Sequence, residues 1–246
     1  MPNAAQTRLT VGVDDDVASG EVDGVDDVDA SVASGGADGD QHQPDGLSEA
    51  DLHPDPVVAV QAWFQAALRC GMDEPSAMVL STVDAGGRPA ARAVLLKGID
   101  QRGFRFFTNY GSAKARQLAD NPACALTLVW PPLARQVRVT GGAQRVTAEE
   151  SAAYFATRPR GSRLGAWASR QSQVITGRDV LDHRLAELEE TYAGSDEVPL
   201  PPFWGGFVVV PSTIELWQGR PNRLHDRFRY SRTTLDQPWK VERLSP

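Results

Sequence analysis

From Asp55 onward the apolar positions recur first at helical and then at strand spacing. Asp55-Pro56 supplies an N-cap and a proline at the first helical position. Val57, Val60, Phe64, Ala67 and Leu68 follow at three- and four-residue intervals as far as Gly71. This predicts a helix with one face on a core. At Ser76 the period changes to two, which predicts a strand over 77–83, a turn at Asp84-Ala85-Gly86-Gly87 and a longer strand over 88–99. Asp100-Gln101-Arg102-Gly103 turns into a strand over 104–108, and Ser112 caps a short helix that stops at Asn121-Pro122. Strands over 123–130 and 135–146 flank Pro131-Pro132. Thr147-Ala148-Glu149-Glu150 fits a capping box opening a helix to about Thr157. A polar helix over 179–192 precedes strands over 206–210, 213–218, 225–231 and 239–244. Hairpin-linked strands with peripheral helices predict a mainly β, α+β chain whose antiparallel sheet closes into a barrel. No glycine-rich fingerprint follows a strand, which argues against a Rossmann fold or a P-loop.

Composition changes this picture only at the N-terminus. Residues 1–50 hold no aromatic residue, and their twelve Asp/Glu stand against one basic residue, Arg8. They therefore carry −11 of a net charge of −7, and the remaining 196 residues carry +4. Such a segment buries too little apolar area to offset its ordering entropy, so residues 1–46 are expected to be a disordered acidic tail and 47–246 one domain. A dispersed +4 suits small anionic ligands better than nucleic acid. No apolar run nears the ~18 residues of a membrane span, and the N-terminus lacks a secretory pattern. Cys70 and Cys124 read as buried hydrophobes in a reducing cytoplasm, and four scattered histidines offer no metal-ligand spacing.

Several positions resist a purely structural account. Arg223, His225 and Arg227 alternate, so on an extended strand they share one face, with Leu224 and Asp226 on the other. That face is either a ligand site or a solvated edge, and periodicity alone weighs the two equally. Arg92 and Lys97 bracket the apolar run Ala93-Val94-Leu95-Leu96. Ser112 to Lys114 opens a helix whose free N–H groups favour an anion. Tyr154 and Arg158 stand at i and i+4, with Ser162 just beyond, either as a phosphate clamp or as a helix end whose carbonyls Arg158 satisfies. Gln171-Ser172 lies in a polar link. There is no Ser-His-Asp signature, paired-carboxylate motif or reactive-cysteine context, so a bound cofactor is expected to supply the chemistry.

Taken together, Arg92-Ala93-Val94-Leu95-Leu96-Lys97, Phe106-Phe107-Thr108-Asn109, Arg135-Gln136-Val137, Tyr154-Phe155 with Arg158-Pro159, Gln171-Ser172, Phe203-Trp204-Gly205-Gly206 and Trp217 through Arg227 resemble, in order, the pyridoxine (pyridoxamine) 5′-phosphate oxidase family. The resemblance spans about residues 47–246. It implies an FMN-binding split β-barrel, a homodimer with FMN at the subunit interface, and oxidation of pyridoxamine or pyridoxine 5′-phosphate by O₂. Carried over by position, Arg92, Ala93, Val94, Leu95, Leu96, Lys97, Phe107, Thr108, Lys114, Gln136, Gln171, Ser172, Trp217 and Arg227 would hold FMN. Lys97, Tyr154, Arg158, Ser162, Arg223, Leu224 and His225 would hold the substrate, with Arg223 and His225 nearest the chemistry. Two departures stand out. Ala113 replaces the family's usual Arg before Lys114, and Arg116 is expected to compensate. No Arg-x-x-Tyr segment occurs in residues 1–50. The competing readings are a non-catalytic FMN or pyridoxal phosphate carrier, a split-barrel reductase of another substrate, and a barrel binding single-stranded nucleic acid.

Overall fold

The computed structural model describes Leu9–Thr10 and residues 46–246. Apart from Leu9–Thr10 and Gly46, the expected acidic tail lies outside the described residues. The strands are β1 (Leu9–Thr10), β2 (Ala77–Val83), β3 (Pro89–Leu95), β4 (Gly98–Asp100), β5 (Gly103–Asn109), β6 (Ala123–Trp130), β7 (Arg135–Arg145), β8 (Trp204–Gln218), β9 (Asp226–Ser231) and β10 (Lys240–Arg243). The helices are α1 (Pro56–Arg69), α2 (Ala113–Asp120), α3 (Ala148–Ala156), α4 (Arg160–Ala168) and α5 (Asp179–Thr191). All strand pairs are antiparallel, in the order β1-β4-β5-β8-β7-β6-β2-β3, with β9 on β8 and β10 on β9. β3 comes back against β5, so the sheet curls into a split barrel.

The core fills that curl. α1 starts where expected, with the Asp55 carboxylate accepting from the Val57 amide at 2.9 Å, and it lays Val57, Val60, Phe64 and Ala67 into the interior. Phe64 meets Trp130 at 6.2 Å between ring centroids, and the Trp130 indole donates to the Pro75 carbonyl at 2.9 Å. Each such fully buried ring contributes about 1.5–3 kcal/mol of transfer free energy.

Within residues 46–246 the expected elements are present with four main differences, and β1 lies in the segment expected to carry no element. The strand expected over 88–99 breaks at Leu96-Lys97: β3 ends at Leu95, and the Leu96 amide donates to the Ser76 carbonyl while the Lys97 amide donates to the Arg105 carbonyl. The two strands expected over 206–218 are one, β8, bent at Pro211, which has no N–H to give a ladder. Opposite that bend the register of β7 shifts between Thr140 and Gly141, and a Cβ on Gly141 would lie 3.0 Å from the Pro211 Cα. α4 is a further element beyond those expected, with Pro159 standing just outside it as the N-cap. Finally, Arg223 is not on a strand. Pro221–Arg223 form a 3-10 turn in which Asn222 and Arg223 have φ of 57° and 61°, and β9 starts only at Asp226, so of Arg223, His225 and Arg227 only Arg227 lies on a strand.

Candidate active site

β5, the start of α2, α3, α4, the end of β3 and the start of β8 enclose a cavity of about 410 Å³. Its cationic groups sit in two sets. The first gathers at α2. Ser112 caps that helix, accepting from the Ala115 amide at 3.4 Å, so the helix N-terminus faces the region where Lys114 sits. The Lys114 ammonium donates to the Thr108 hydroxyl at 3.2 Å and to Gln171 Oε1 at 2.9 Å. Burial, and then the nearby Arg92 charge, pull the Lys114 ammonium below the usual lysine range. Arg92 lies just behind, donating to the Thr82 hydroxyl at 2.6 Å and to Gln117 Oε1 at 2.9 Å. Arg116, expected to compensate for Ala113, is exposed and donates to the Gly111 carbonyl. Arg92 is therefore the second cation beside Lys114.

The second set surrounds Tyr154. Its ring stacks on Phe107 at 3.9 Å and 15°, and Phe107 lies parallel to Trp204 at 5.6 Å and 10°. The Arg158 guanidinium sits 5.0 Å over the Trp204 ring, which orients it towards the cavity shared with Tyr154, Ser162 and Lys97. Lys97 is 7% exposed, so this end places a buried ammonium beside a guanidinium and two hydroxyls. Such a donor set matches a phosphate group.

Of the residues singled out in the sequence, Ala93, Val94, Leu95, Lys97, Phe107, Thr108, Lys114, Tyr154, Arg158, Ser162 and Gln171 line this cavity. Leu96 does not: its side chain is fully buried in the core, which leaves only its backbone near the site. Ser172 lies next to Gln171 in an exposed segment with φ of 70°. Trp204, Asn109 and Ser169 also line the cavity and had been given no role. The available signal was Gly205-Gly206 directly after Trp204. A Cβ on Gly206 would lie 2.7 Å from the Phe107 ring, so only glycine lets β8 approach that aromatic wall.

Gln136, Trp217, Arg223, Leu224, His225 and Arg227 form a separate group. Gln136, Trp217 and Arg227 are register partners across β7, β8 and β9, so they make one row on one face. His225 packs on Trp217 at 4.5 Å, and Arg227 is held by Glu215 at 2.9 Å and by the Ser245 carbonyl at 2.9 Å. Leu224 is 69% exposed. Trp204 begins β8 and Trp217 stands one residue from its end. At ~3.3 Å per residue, roughly 40 Å of strand separates the cavity from the row.

Residues 64–192 match the family profile described as pyridoxamine 5′-phosphate oxidase, and residues 204–246 match a pyridoxine 5′-phosphate oxidase C-terminal dimerisation region. A pyridoxine/pyridoxamine 5′-phosphate oxidase from Rubrobacter xylanophilus is 56% identical over 201 residues, covering 82% of this chain and 91% of the relative. The chain belongs to the pyridoxamine 5′-phosphate oxidase family. It is an oxidase enzyme of that family. The relative of the same description from Cupriavidus taiwanensis is 54% identical over 200 residues, covering 81% of this chain and 93% of its own length. Among solved structures, PhzG from Burkholderia lata, in complex with tetrahydrophenazine-1-carboxylic acid, superposes with a TM-score of 0.77 at 28% identity, over 83% of this chain and all of that one. The family's split barrel is thus the fold seen here. Among the described residues no cluster of His, Cys, Asp or Glu is arranged to hold a metal, and no helix is long and apolar enough to cross a membrane.

Proposed function

We propose that this oxidase converts pyridoxamine 5′-phosphate or pyridoxine 5′-phosphate to pyridoxal 5′-phosphate, using FMN and O₂ and releasing H₂O₂. The amine substrate also consumes water and releases ammonia. The observation that carries this reading is the pair of cationic sets at one cavity: Lys114, backed by Arg92 outside the lining, and Lys97 with Arg158. A flavin phosphate and a substrate phosphate each need such a set. The donors present fit FMN: a capped helix N-terminus with Lys114 beside it, the Thr108 hydroxyl and the Gln171 amide. When bound, the flavin supplies the two-electron acceptor.

The chain's own residues bind and orient. Arg158, Tyr154, Ser162 and Lys97 would hold the substrate phosphate by charge-assisted hydrogen bonds, and the Phe107–Tyr154–Trp204 wall would exclude water beside it. Gln136, Trp217 and Arg227 would complete the flavin site, while Arg223 and His225 would meet the substrate ring. Because these five lie at the far end of β8, we infer that they come from a second copy of the chain. A homodimer would then carry two sites, each built from one protomer's cavity and its partner's row. The relatives' names, the dimerisation region and the separation along β8 support this reading. We place the enzyme in the cytoplasm.

The test is direct. The purified protein is expected to show flavin absorbance and to form H₂O₂ and pyridoxal 5′-phosphate in equal amounts from pyridoxamine 5′-phosphate. A yellow protein with bound product and no turnover would instead indicate a carrier. A yellow protein that oxidises only other substrates would indicate a split-barrel enzyme of different specificity.

A further inference from the structure

The loop that carries Arg223 and His225 is held shut by residues with no assigned role. Asn222 and Arg223 are both left-handed, a conformation that persists in non-glycine residues only where the surroundings over-determine it. Two contacts do so here. Arg220 Nε lies 3.4 Å from Asp226 Oδ2, which joins the two ends of the loop. The Arg220 amide donates to His225 Nδ1 at 3.1 Å. Asp226 is itself fixed: it accepts the Leu47 amide at 3.0 Å, pairs with Arg243 Nη1 at 2.8 Å, and has a side chain only 14% exposed. Gly46 presses against the same pair, since a Cβ there would lie 2.8 Å from Asp226 Oδ2.

A ring nitrogen that accepts an N–H carries no hydrogen of its own, so a neutral His225 bonded in this way has its hydrogen on Nε2. We propose that Asp226 is a positioning residue. By closing the loop through Arg220 it keeps His225 as the Nε2–H tautomer and Arg223 in its left-handed conformation. His225 then meets its ligand as a hydrogen-bond donor, and the ligand atom it reads is an acceptor oxygen. The inference rests on the proposed function for the identity of that ligand, whereas the tautomer is a property of the chain alone.

The experiment has two readouts. Ring ¹⁵N and ¹³C shifts of His225 in the flavin-free protein, assigned with His225→Gln, are expected to report the Nε2–H form. Asp226→Ala, and Arg220→Ala to a smaller extent, are expected to shift His225 towards a mixture of tautomers. In the flavin-loaded enzyme Asp226→Ala is expected to raise the substrate KM about tenfold, as misplacement of an orienting group does. A wild-type His225 with its hydrogen on Nδ1 overturns the proposal, as does an Asp226→Ala variant with the wild-type tautomer and KM. If Asp226→Ala does not fold, Arg220→Ala decides, because it keeps the amide donor and deletes only an exposed partner of the loop closure. If the wild type shows no oxidase turnover, the functional reading fails by itself and the tautomer shifts alone decide the role of Asp226.

Discussion

Two variants that are each inactive should restore activity when combined in one dimer. Arg158→Ala removes the guanidinium held over Trp204 in the cavity, and Arg223→Ala removes a side chain from the loop beyond the far end of β8. Each variant alone is expected to lose on the order of a hundredfold in kcat/KM, the loss typical when a positioning contact is removed. If every site joins one protomer's cavity to its partner's row, an Arg158→Ala/Arg223→Ala heterodimer has one site with both lesions and one with neither. In an equimolar population mixed by joint refolding, half the dimers are heterodimers, so roughly a quarter of all sites are intact by the symmetry of a two-fold assembly. The assay is H₂O₂ production at saturating FMN, before and after mixing, with differently tagged chains to measure the heterodimer fraction. Activity near one quarter of wild type supports the shared site. Activity no higher than the mean of the two parents refutes the reasoning, because it would mean that both sets of residues act within one chain despite the roughly 40 Å of strand between them.

Other expectations concern the frame. Trp130→Ala empties a fully buried ring site and frees the Pro75 carbonyl, and should lower stability by about 3–5 kcal/mol in denaturant titration. Gly141→Ala sets a methyl against the Val210–Pro211 backbone, which cannot swing aside as a side chain would; it should cost about 1–3 kcal/mol, and an unchanged midpoint would show that the bend tolerates a Cβ. Glu150 has its carboxyl lowered to about 2, chiefly by hydrogen bonds from Arg102. A depressed carboxylate contributes stability that is present above its unfolded value of 4.5 and lost as the pH falls towards 2. Glu150→Gln should therefore destabilise at neutral pH, converge on wild type near pH 2, and flatten the acid limb of a stability profile.

Short-range signals were legible where the local chemistry is decisive. Asp55-Pro56 starts α1, and the Thr147–Glu150 capping box opens α3 with both of its reciprocal bonds. The period-two runs gave β2, β5 and β6 to within a residue or two. Tyr154, Arg158 and Ser162 were open between a phosphate clamp and a helix end, and they do line one cavity, on α3, the link after it and α4. What failed depended on tertiary context. α4 needs Gly161 and Gly165 inside a helix, which propensity disfavours by about 1 kcal/mol each, and packing against α5 overrides that cost. Arg223 was expected to alternate with His225, but Pro221-Asn222 builds a turn closed by the Arg220–Asp226 pair and the Arg220 amide on His225, contacts between residues five and six apart with no periodic signature. The cofactor list read from the resemblance ran Gln136, Gln171 and Trp217 together, because residue order says nothing about which end of the barrel each one reaches.

If the site is shared between two chains as proposed, the bend in β8 is what divides it. Before Pro211 the strand pairs with β5, and after it with β9, while β7 follows it on the other side from Phe207 to Gln218. Pro211 cannot donate to β7, and Gly141 leaves room for the backbone to turn there. The first half therefore delivers Trp204 to the aromatic wall of the cavity, and the second half delivers Trp217 to the row with Gln136 and Arg227. A strand held by hydrogen bonds on both edges cannot fold back to bring its own ends together. Covering the half-buried row and the open cavity at once would then take another copy of the same surface, which a two-fold axis supplies with a single interface used twice.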